Sequence, residues 1–367
     1  MIGGHGGNVY ALARRLGCAP TDILDLSSNV NPLGPPPGLR EHLAGHLDAI
    51  AVLPEVDSGE VVARYAARLG LPADRVAAGN GTTQFIYSIP STLKTRRALI
   101  VGPTYSDYAD SCRLHGVEPG FLLWPAADGF RADPQRLSEA AAGADTVFVC
   151  NPNNPTGGLI PVEDLRQVCA AHPAVRFVVD ESYLPFVLDG ERQSLVGCGL
   201  ANVIVLLSIS KIYRIPGLRI GFLAGDPAVV ARFRHGLLPW SVNALAQAAV
   251  RFVCEAGAAI DRFTAESREH LARERRDLQE RLAAIPGMHP YPSTASFVLV
   301  RLPEGLTAAS AWERLAAERI LIRDCSNFAG LSERFIRICP RSRDSNRRAA
   351  EALARWAAAE CRRKGNT

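Results

Sequence analysis

Five short segments of this chain are apolar throughout their interiors: residues 97–101, 146–150, 176–180, 202–207 and 220–223. Runs of this kind offer no face to water, so each has to be covered on both sides. A parallel sheet sandwiched between helices does that, and a half-solvated antiparallel sheet does not. Residues 165–171 have the spacing of a crossover helix and fall between the second and third runs. The alternation predicts an α/β layered domain with a mostly parallel central sheet flanked by helices. Such sheets bind ligands at the carboxyl ends of their strands, so the residues just after each run are where chemistry is expected.

The rest of the 367 residues divides around this domain. A length of this order suits one large and one smaller domain. Residues 1–40 read as an N-terminal arm, with a glycine-rich start, a short helix over 9–16 and the stiff punctuation Pro35-Pro36-Pro37-Gly38. Residues 41–245 form the large α/β domain, 246–285 connecting helices, and 286–367 a small C-terminal α+β domain. Strands are expected there at 296–300 and 335–339, with a closing helix over 345–360.

No run of about 18 apolar residues predicts a membrane span. The first seven residues have neither the basic nor the apolar region of a signal peptide. The net charge of +4 is too weak for a dedicated nucleic-acid binder but suits small anionic ligands. Nine cysteines are scattered singly, with no metal-ligand spacing, which points to reduced thiols in the cytoplasm and no metal site.

Four polar segments stand out. Ser208-Ile209-Ser210-Lys211 with Arg219 follows the fourth run, and Lys211 is one of only three lysines. An imine-forming lysine needs a neutral amine, which burial and nearby cations favour. Ser208, Ser210 and Arg219 suit a phosphate. Asp180-Glu181-Ser182-Tyr183 ends the third run. A carboxylate there needs a partner, and a protonated pyridine nitrogen is one. Tyr183 is then within reach of a ring hydroxyl.

Asn151-Pro152-Asn153-Asn154-Pro155-Thr156-Gly157 is a stiff loop that can aim an amide. Ala78-Gly79-Asn80-Gly81-Thr82 precedes a helix whose N-terminus can receive phosphate, and Tyr105 follows the first run at the same sheet edge. Each segment also has an ordinary structural explanation: a basic loop, a helix N-cap, a plain turn, a packed tyrosine.

In this chain order, the motifs resemble those of the class I/II aminotransferases among fold-type-I pyridoxal 5'-phosphate enzymes. The resemblance implies that Lys211 bonds the cofactor and later moves protons, and that Asp180 pairs with the pyridine nitrogen. It implies that Asn154 and Tyr183 contact the ring hydroxyl and that Tyr105 stacks on the ring. Gly81, Thr82, Ser208, Ser210 and Arg219 would hold the cofactor phosphate.

His5-Gly6-Gly7-Asn8, residues 26–34, 239–246 and 320–328 further resemble the threonine-phosphate decarboxylase branch, close to the histidinol-phosphate aminotransferases. That similarity implies decarboxylation of O-phospho-L-threonine to (R)-1-amino-2-propanol O-2-phosphate in cobalamin biosynthesis, with transamination as the alternative. It makes the partner a small phosphorylated amino acid and the assembly a homodimer. It assigns substrate contacts to His5, Gly6 and Asn29 on the arm, to Asn154, and to Arg323 and Arg337. Surface ion pairing is the ordinary alternative for the two arginines. Two departures from the branch are Leu53, where a tyrosine hydroxyl is usual, and Ser296, where asparagine is common.

Overall fold

A computed structural model describes residues 6–365. In chain order its strands are β1 (Leu24–Asp25), β2 (Val76–Gly79), β3 (Ala98–Gly102), β4 (Gly120–Leu123), β5 (Thr146–Cys150), β6 (Arg176–Asp180), β7 (Val203–Leu207), β8 (Gly221–Ala224), β9 (His289–Pro290), β10 (Val298–Arg301), β11 (Ile320–Leu321), β12 (Arg323–Asp324) and β13 (Phe335–Ile338). Its α-helices are α1 (Val9–Leu16), α2 (Leu39–Ala44), α3 (Gly59–Arg68), α4 (Thr82–Leu93), α5 (Asp107–Leu114), α6 (Pro134–Ala141), α7 (Val162–Ala171), α8 (Ile209–Ile212), α9 (Pro227–His235), α10 (Ala244–Glu255), α11 (Gly257–Ala283), α12 (Ala308–Ala317) and α13 (Arg343–Gly365).

Seven strands form one sheet in the order β2-β8-β7-β6-β5-β3-β4. The pairs from β4 to β7 are parallel. β5 and β7 are buried at every position, as their unbroken apolar character requires. β8 departs from the parallel pattern and runs antiparallel to both β7 and β2. The chain leaves the carboxyl end of β7, makes α8 and a tight turn at that same end, and so must re-enter the sheet in the opposite direction. A run apolar on both faces carries no mark of strand direction, so the sequence could not show this.

Two strands of this seven-stranded sheet were not expected. β2 is short and alanine-rich, and β4 is an edge strand whose side chains stay largely open to solvent. The helical stretch after Asn243 is two helices with a break at Ala256. Asn243 caps the first by accepting from the Ala246 N–H at 2.8 Å.

β9, β10, β12 and β13 make a second, antiparallel sheet in the order β12-β13-β10-β9. Its apolar face packs with α12, α13 and the end of α11 into a core of its own, which includes Ile336, Ile338, Leu353 and Trp356. The arm is sewn to this part of the chain, because β1 pairs in parallel with β11. The Asn151–Gly157 loop meets it from the other side. Gly157 sits at φ +73°, and a Cβ there would lie 2.0 Å from Ser293 Oγ, so no side chain fits. Among the described residues no helix is long and apolar enough to cross a membrane.

Candidate active site

A cavity of about 360 Å³ opens where β3, β5, β6 and β7 end, roofed by the arm and by β12 and β13. Ten of the residues expected from sequence line it: Gly6, Asn29, Thr82, Tyr105, Asn154, Asp180, Tyr183, Lys211, Arg323 and Arg337. Gly81, Ser208, Ser210 and Arg219 stand beside it rather than in its wall. His5 lies outside the described residues.

Asp180 is the last residue of β6 and is buried. Its Oδ2 accepts from the Tyr108 hydroxyl at 2.7 Å and its Oδ1 from the Ser182 N–H at 2.9 Å. No α-helix follows, so the helix-cap explanation for this carboxylate falls. Tyr108 is the important residue that sequence reasoning missed. It projects from α5, three positions after Tyr105, with its ring stacked on Phe148 at 5.6 Å. An aromatic pair at i, i+3 at a strand's carboxyl end was the available signal.

Lys211 lies in α8, a single turn at the end of β7. Its side chain is only partly covered because it faces the cavity, but protein surrounds that cavity on most sides. Desolvation, then the positive charge of Arg219, lowers its pKa; Asp180 works in the opposite direction. Ser208 and Ser210 share a hydrogen bond of 2.8 Å. Gly81 precedes α4 at φ +75°, and a Cβ there would stand 2.6 Å from Arg219 Nη2. The bare backbone, the α4 N-terminus and the guanidinium thus converge on one point, which suits a phosphate.

Tyr183 accepts a hydrogen bond from Asn29 Nδ2 at 2.9 Å. Burial raises its pKa, against the pull of Arg337 and the Asn29 bond. Arg337 donates to Asn154 Oδ1, and to the Ser27 carbonyl at 2.9 Å. Arg323 donates to Asn327 Oδ1 at 2.6 Å. Both arginines are buried, at 5% and 9% exposure, and these bonds go to neutral oxygens, so surface ion pairing does not describe them. They are also direct cross-strand neighbours, since the β12–β13 register pairs Arg323 with Arg337. Like charges opposite each other oppose folding. Two buried guanidiniums held side by side at a cavity therefore imply anions in that cavity. Among the described residues no cluster of His, Cys, Asp and Glu could hold a metal ion.

Comparison with known proteins agrees with this geometry. The family model "Aminotransferase class I and II" matches residues 21–353. The threonine-phosphate decarboxylase of Salmonella typhimurium is 35% identical over 353 residues, 95% of each chain. The histidinol-phosphate aminotransferase of Methanothermobacter thermautotrophicus is 30% identical over 358 residues, covering 95% of this chain and 92% of its own. The crystal structure of L-threonine-O-3-phosphate decarboxylase from Porphyromonas gingivalis superposes with a TM-score of 0.80 at 32% identity, over 90% of this chain and 98% of that one.

Proposed function

From the premise that this chain belongs to the aminotransferase class I and II family and is a pyridoxal 5'-phosphate enzyme, we propose that it decarboxylates O-phospho-L-threonine. The product is (R)-1-amino-2-propanol O-2-phosphate, an intermediate of cobalamin biosynthesis. One observation carries the choice of substrate: the paired, buried guanidiniums of Arg323 and Arg337 face the same cavity as the Lys211 amine. A phosphorylated amino acid brings two anions, a carboxylate and a phosphate, to a site with two forked cations. The Salmonella and Porphyromonas relatives support the same substrate.

The residues present fit the cofactor. Gly81 leaves room for a phosphate beside Arg219 and the α4 N-terminus, with Ser208 and Ser210 adjacent. The Asp180 carboxylate is buried with neutral donors, which is the partner a protonated pyridine nitrogen needs. When bound, the cofactor supplies an electron-withdrawing ring that accepts the electrons of a breaking Cα bond. Burial and the neighbouring Arg219 charge lower the pKa of Lys211, which favours the neutral, nucleophilic form of its amine.

Tyr105 would pack against the ring face, and Tyr183 and Asn154 would hold the ring hydroxyl. Arg323 and Arg337, with Asn29 and Gly6 on the arm, would bind the substrate anions and set the orientation of the carboxylate. With the cofactor bound, the Cα–carboxylate bond would break with loss of carbon dioxide, and Lys211 Nζ would pass to Cα a proton taken up from the substrate ammonium. The exposed apolar residues Ile50, Leu53, Leu238 and Trp240 are the surface for a second copy, making a homodimer.

The test is carbon dioxide release from O-phospho-L-threonine by the cofactor-loaded protein with no 2-oxo acid present. Release is expected, and loss of release in Lys211→Ala. A second function, transamination, is favoured by the Methanothermobacter relative. Amine transfer from histidinol phosphate to a 2-oxo acid, with no carbon dioxide from phosphothreonine, would establish it and overturn the first.

A further inference from the structure

The lysine helix α8 has only four residues, Ile209–Ile212, so it contributes almost no stability of its own. Its carbonyls must find donors beyond the helix. The Ile209 carbonyl accepts from Tyr213 N at 3.1 Å and the Ser210 carbonyl from Ile215 N at 3.0 Å. The last two are met from the arm. Asn31 N donates to the Lys211 carbonyl at 3.0 Å, a shorter contact than the 3.3 Å local bond from Arg214 N. Asn31 Nδ2 donates to the Ile212 carbonyl at 2.8 Å. Asn31 is therefore a C-terminal cap supplied by a segment 180 residues away in sequence, a separation of |i−j| = 181 for the side-chain bond.

Asn31 is itself fixed on every side. Its second amide hydrogen goes to Ser267 Oγ at 2.7 Å, and Ser267 passes its own proton to the Phe263 carbonyl at 2.7 Å within α11. Asn31 Oδ1 accepts from Leu33 N at 3.0 Å. Asn31 and Ser267 are both fully buried. Water cannot replace a missing donor at such a site, and an unpaired carbonyl there is unfavourable. Two residues earlier in the arm, Asn29 meets Tyr183. One arm segment thus touches both the phenol and the lysine of the cavity.

We propose that Asn31 is a positioning residue for Lys211: by capping α8 from the arm, it fixes where the amine stands relative to Asp180, so the reactivity of the lysine depends on the arm being seated. This rests on Lys211 being the cofactor lysine. Aspartate keeps the acceptor for Leu33 but points a carboxylate at the Ile212 carbonyl, and alanine leaves that carbonyl bare.

The test uses the holoprotein and the protein stripped of cofactor, for wild type, Asn31→Ala, Asn31→Asp and Ser267→Ala. Three quantities are read: the pH midpoint of the visible cofactor absorbance, the rate at which stripped protein captures pyridoxal 5'-phosphate, and kcat and KM separately. Loss of one buried hydrogen bond predicts cofactor capture slowed about five-fold in Asn31→Ala. The absorbance midpoint should move by about half a pH unit or more, and kcat should fall while KM stays near wild type. Asn31→Asp should behave like Asn31→Ala or worse. Ser267→Ala should move the same quantities in the same direction by less, and it decides the matter alone if the Asn31 variants do not fold. Wild-type midpoints and capture rates in the folded variants overturn the proposal, even where their melting temperatures fall. A visible band that survives Lys211→Ala would instead remove the premise about the lysine.

Discussion

Adding one methyl group at Gly81 acts on two different properties. The residue sits at φ +75° and ψ 164°, just before α4. That region belongs almost to glycine alone, and forcing another residue into it costs about 1–3 kcal/mol. This strain is felt with or without cofactor. The second effect is steric: the new Cβ would stand 2.6 Å from Arg219 Nη2 and 3.2 Å from its Cζ. Ordinary contact is about 3.5 Å or more, so the guanidinium must withdraw by about 1 Å. Arg219 is exposed, so the withdrawal hardly disturbs the fold, but it moves the charge off the phosphate position.

A charge-assisted hydrogen bond contributes about 1.5–3 kcal/mol, so Gly81→Ala should bind pyridoxal 5'-phosphate about 10- to 150-fold more weakly. The assay is a cofactor titration by absorbance, paired with urea unfolding of the stripped protein, repeated in an Arg219→Ala background. There the loss of cofactor affinity should nearly vanish while the strain penalty on stability persists. Unchanged affinity in Gly81→Ala, or the same loss without Arg219, refutes the account of this cradle.

Glu181 gives a pH test of stability. It is 1% exposed and accepts from Ser194 Oγ at 2.6 Å and Leu195 N at 2.7 Å. Burial outweighs those bonds and lifts its pKa from 4.5 to about 7. A carboxyl raised on folding stabilises the fold below its unfolded pKa, and that contribution is lost as pH rises through about 7. Its full size is on the order of 3 kcal/mol. Between pH 5 and pH 8 the wild type should therefore lose more stability in urea unfolding than Glu181→Gln, and parallel pH profiles would sink the prediction. For the homodimer, light scattering should give twice the chain mass, and Ile50→Glu with Leu53→Glu should give monomers. A monomeric wild type at micromolar concentration would end that proposal.

The cavity was readable from sequence because each of its main residues follows an apolar run, and strand ends of a parallel sheet converge by construction. Lys211, Asp180, Asn154 and Tyr105 all fall in that position. For Tyr108 the aromatic spacing after Tyr105 was visible, but its bond to Asp180 was not, because that depends on how α5 is rotated against β5 and β6. Asn31 belongs to a stretch whose composition says only "turn"; its partners Ile212 and Ser267 are distant in the chain, and local pattern carries no information about them. β2 and β4 escaped for different reasons. Val-Ala-Ala-Gly has little strand preference of its own, and β4 is an exposed edge that lacks the double-sided apolar signature.

Strand periodicity explains why the cavity arginines and the arm occur together. Successive side chains of a strand point to opposite faces. Along β13 and its exit, Ile336 and Ile338 enter the core of the smaller sheet. The odd positions between and beyond them turn toward the cavity and the arm. Arg337 reaches the Ser27 carbonyl, the Cys339 N–H reaches the Leu26 carbonyl at 2.8 Å, and Arg341 spreads its guanidinium over three more carbonyls. Those are Asp25 at 3.1 Å, Ser28 at 2.7 Å and Val30 at 2.6 Å. The strand that carries the cavity cation Arg337 thus also fixes the arm that carries Asn29 and Asn31. A one-residue slip of β13 against β10 would drive Arg337 into the apolar core and release the arm at the same time. In the observed register Arg337 pairs with Leu299, and the penalty for burying a guanidinium in the apolar core opposes the slip. Because the arm also caps the Lys211 helix, the placement of Arg337 and the seating of the arm on that helix both depend on the register of one four-residue strand.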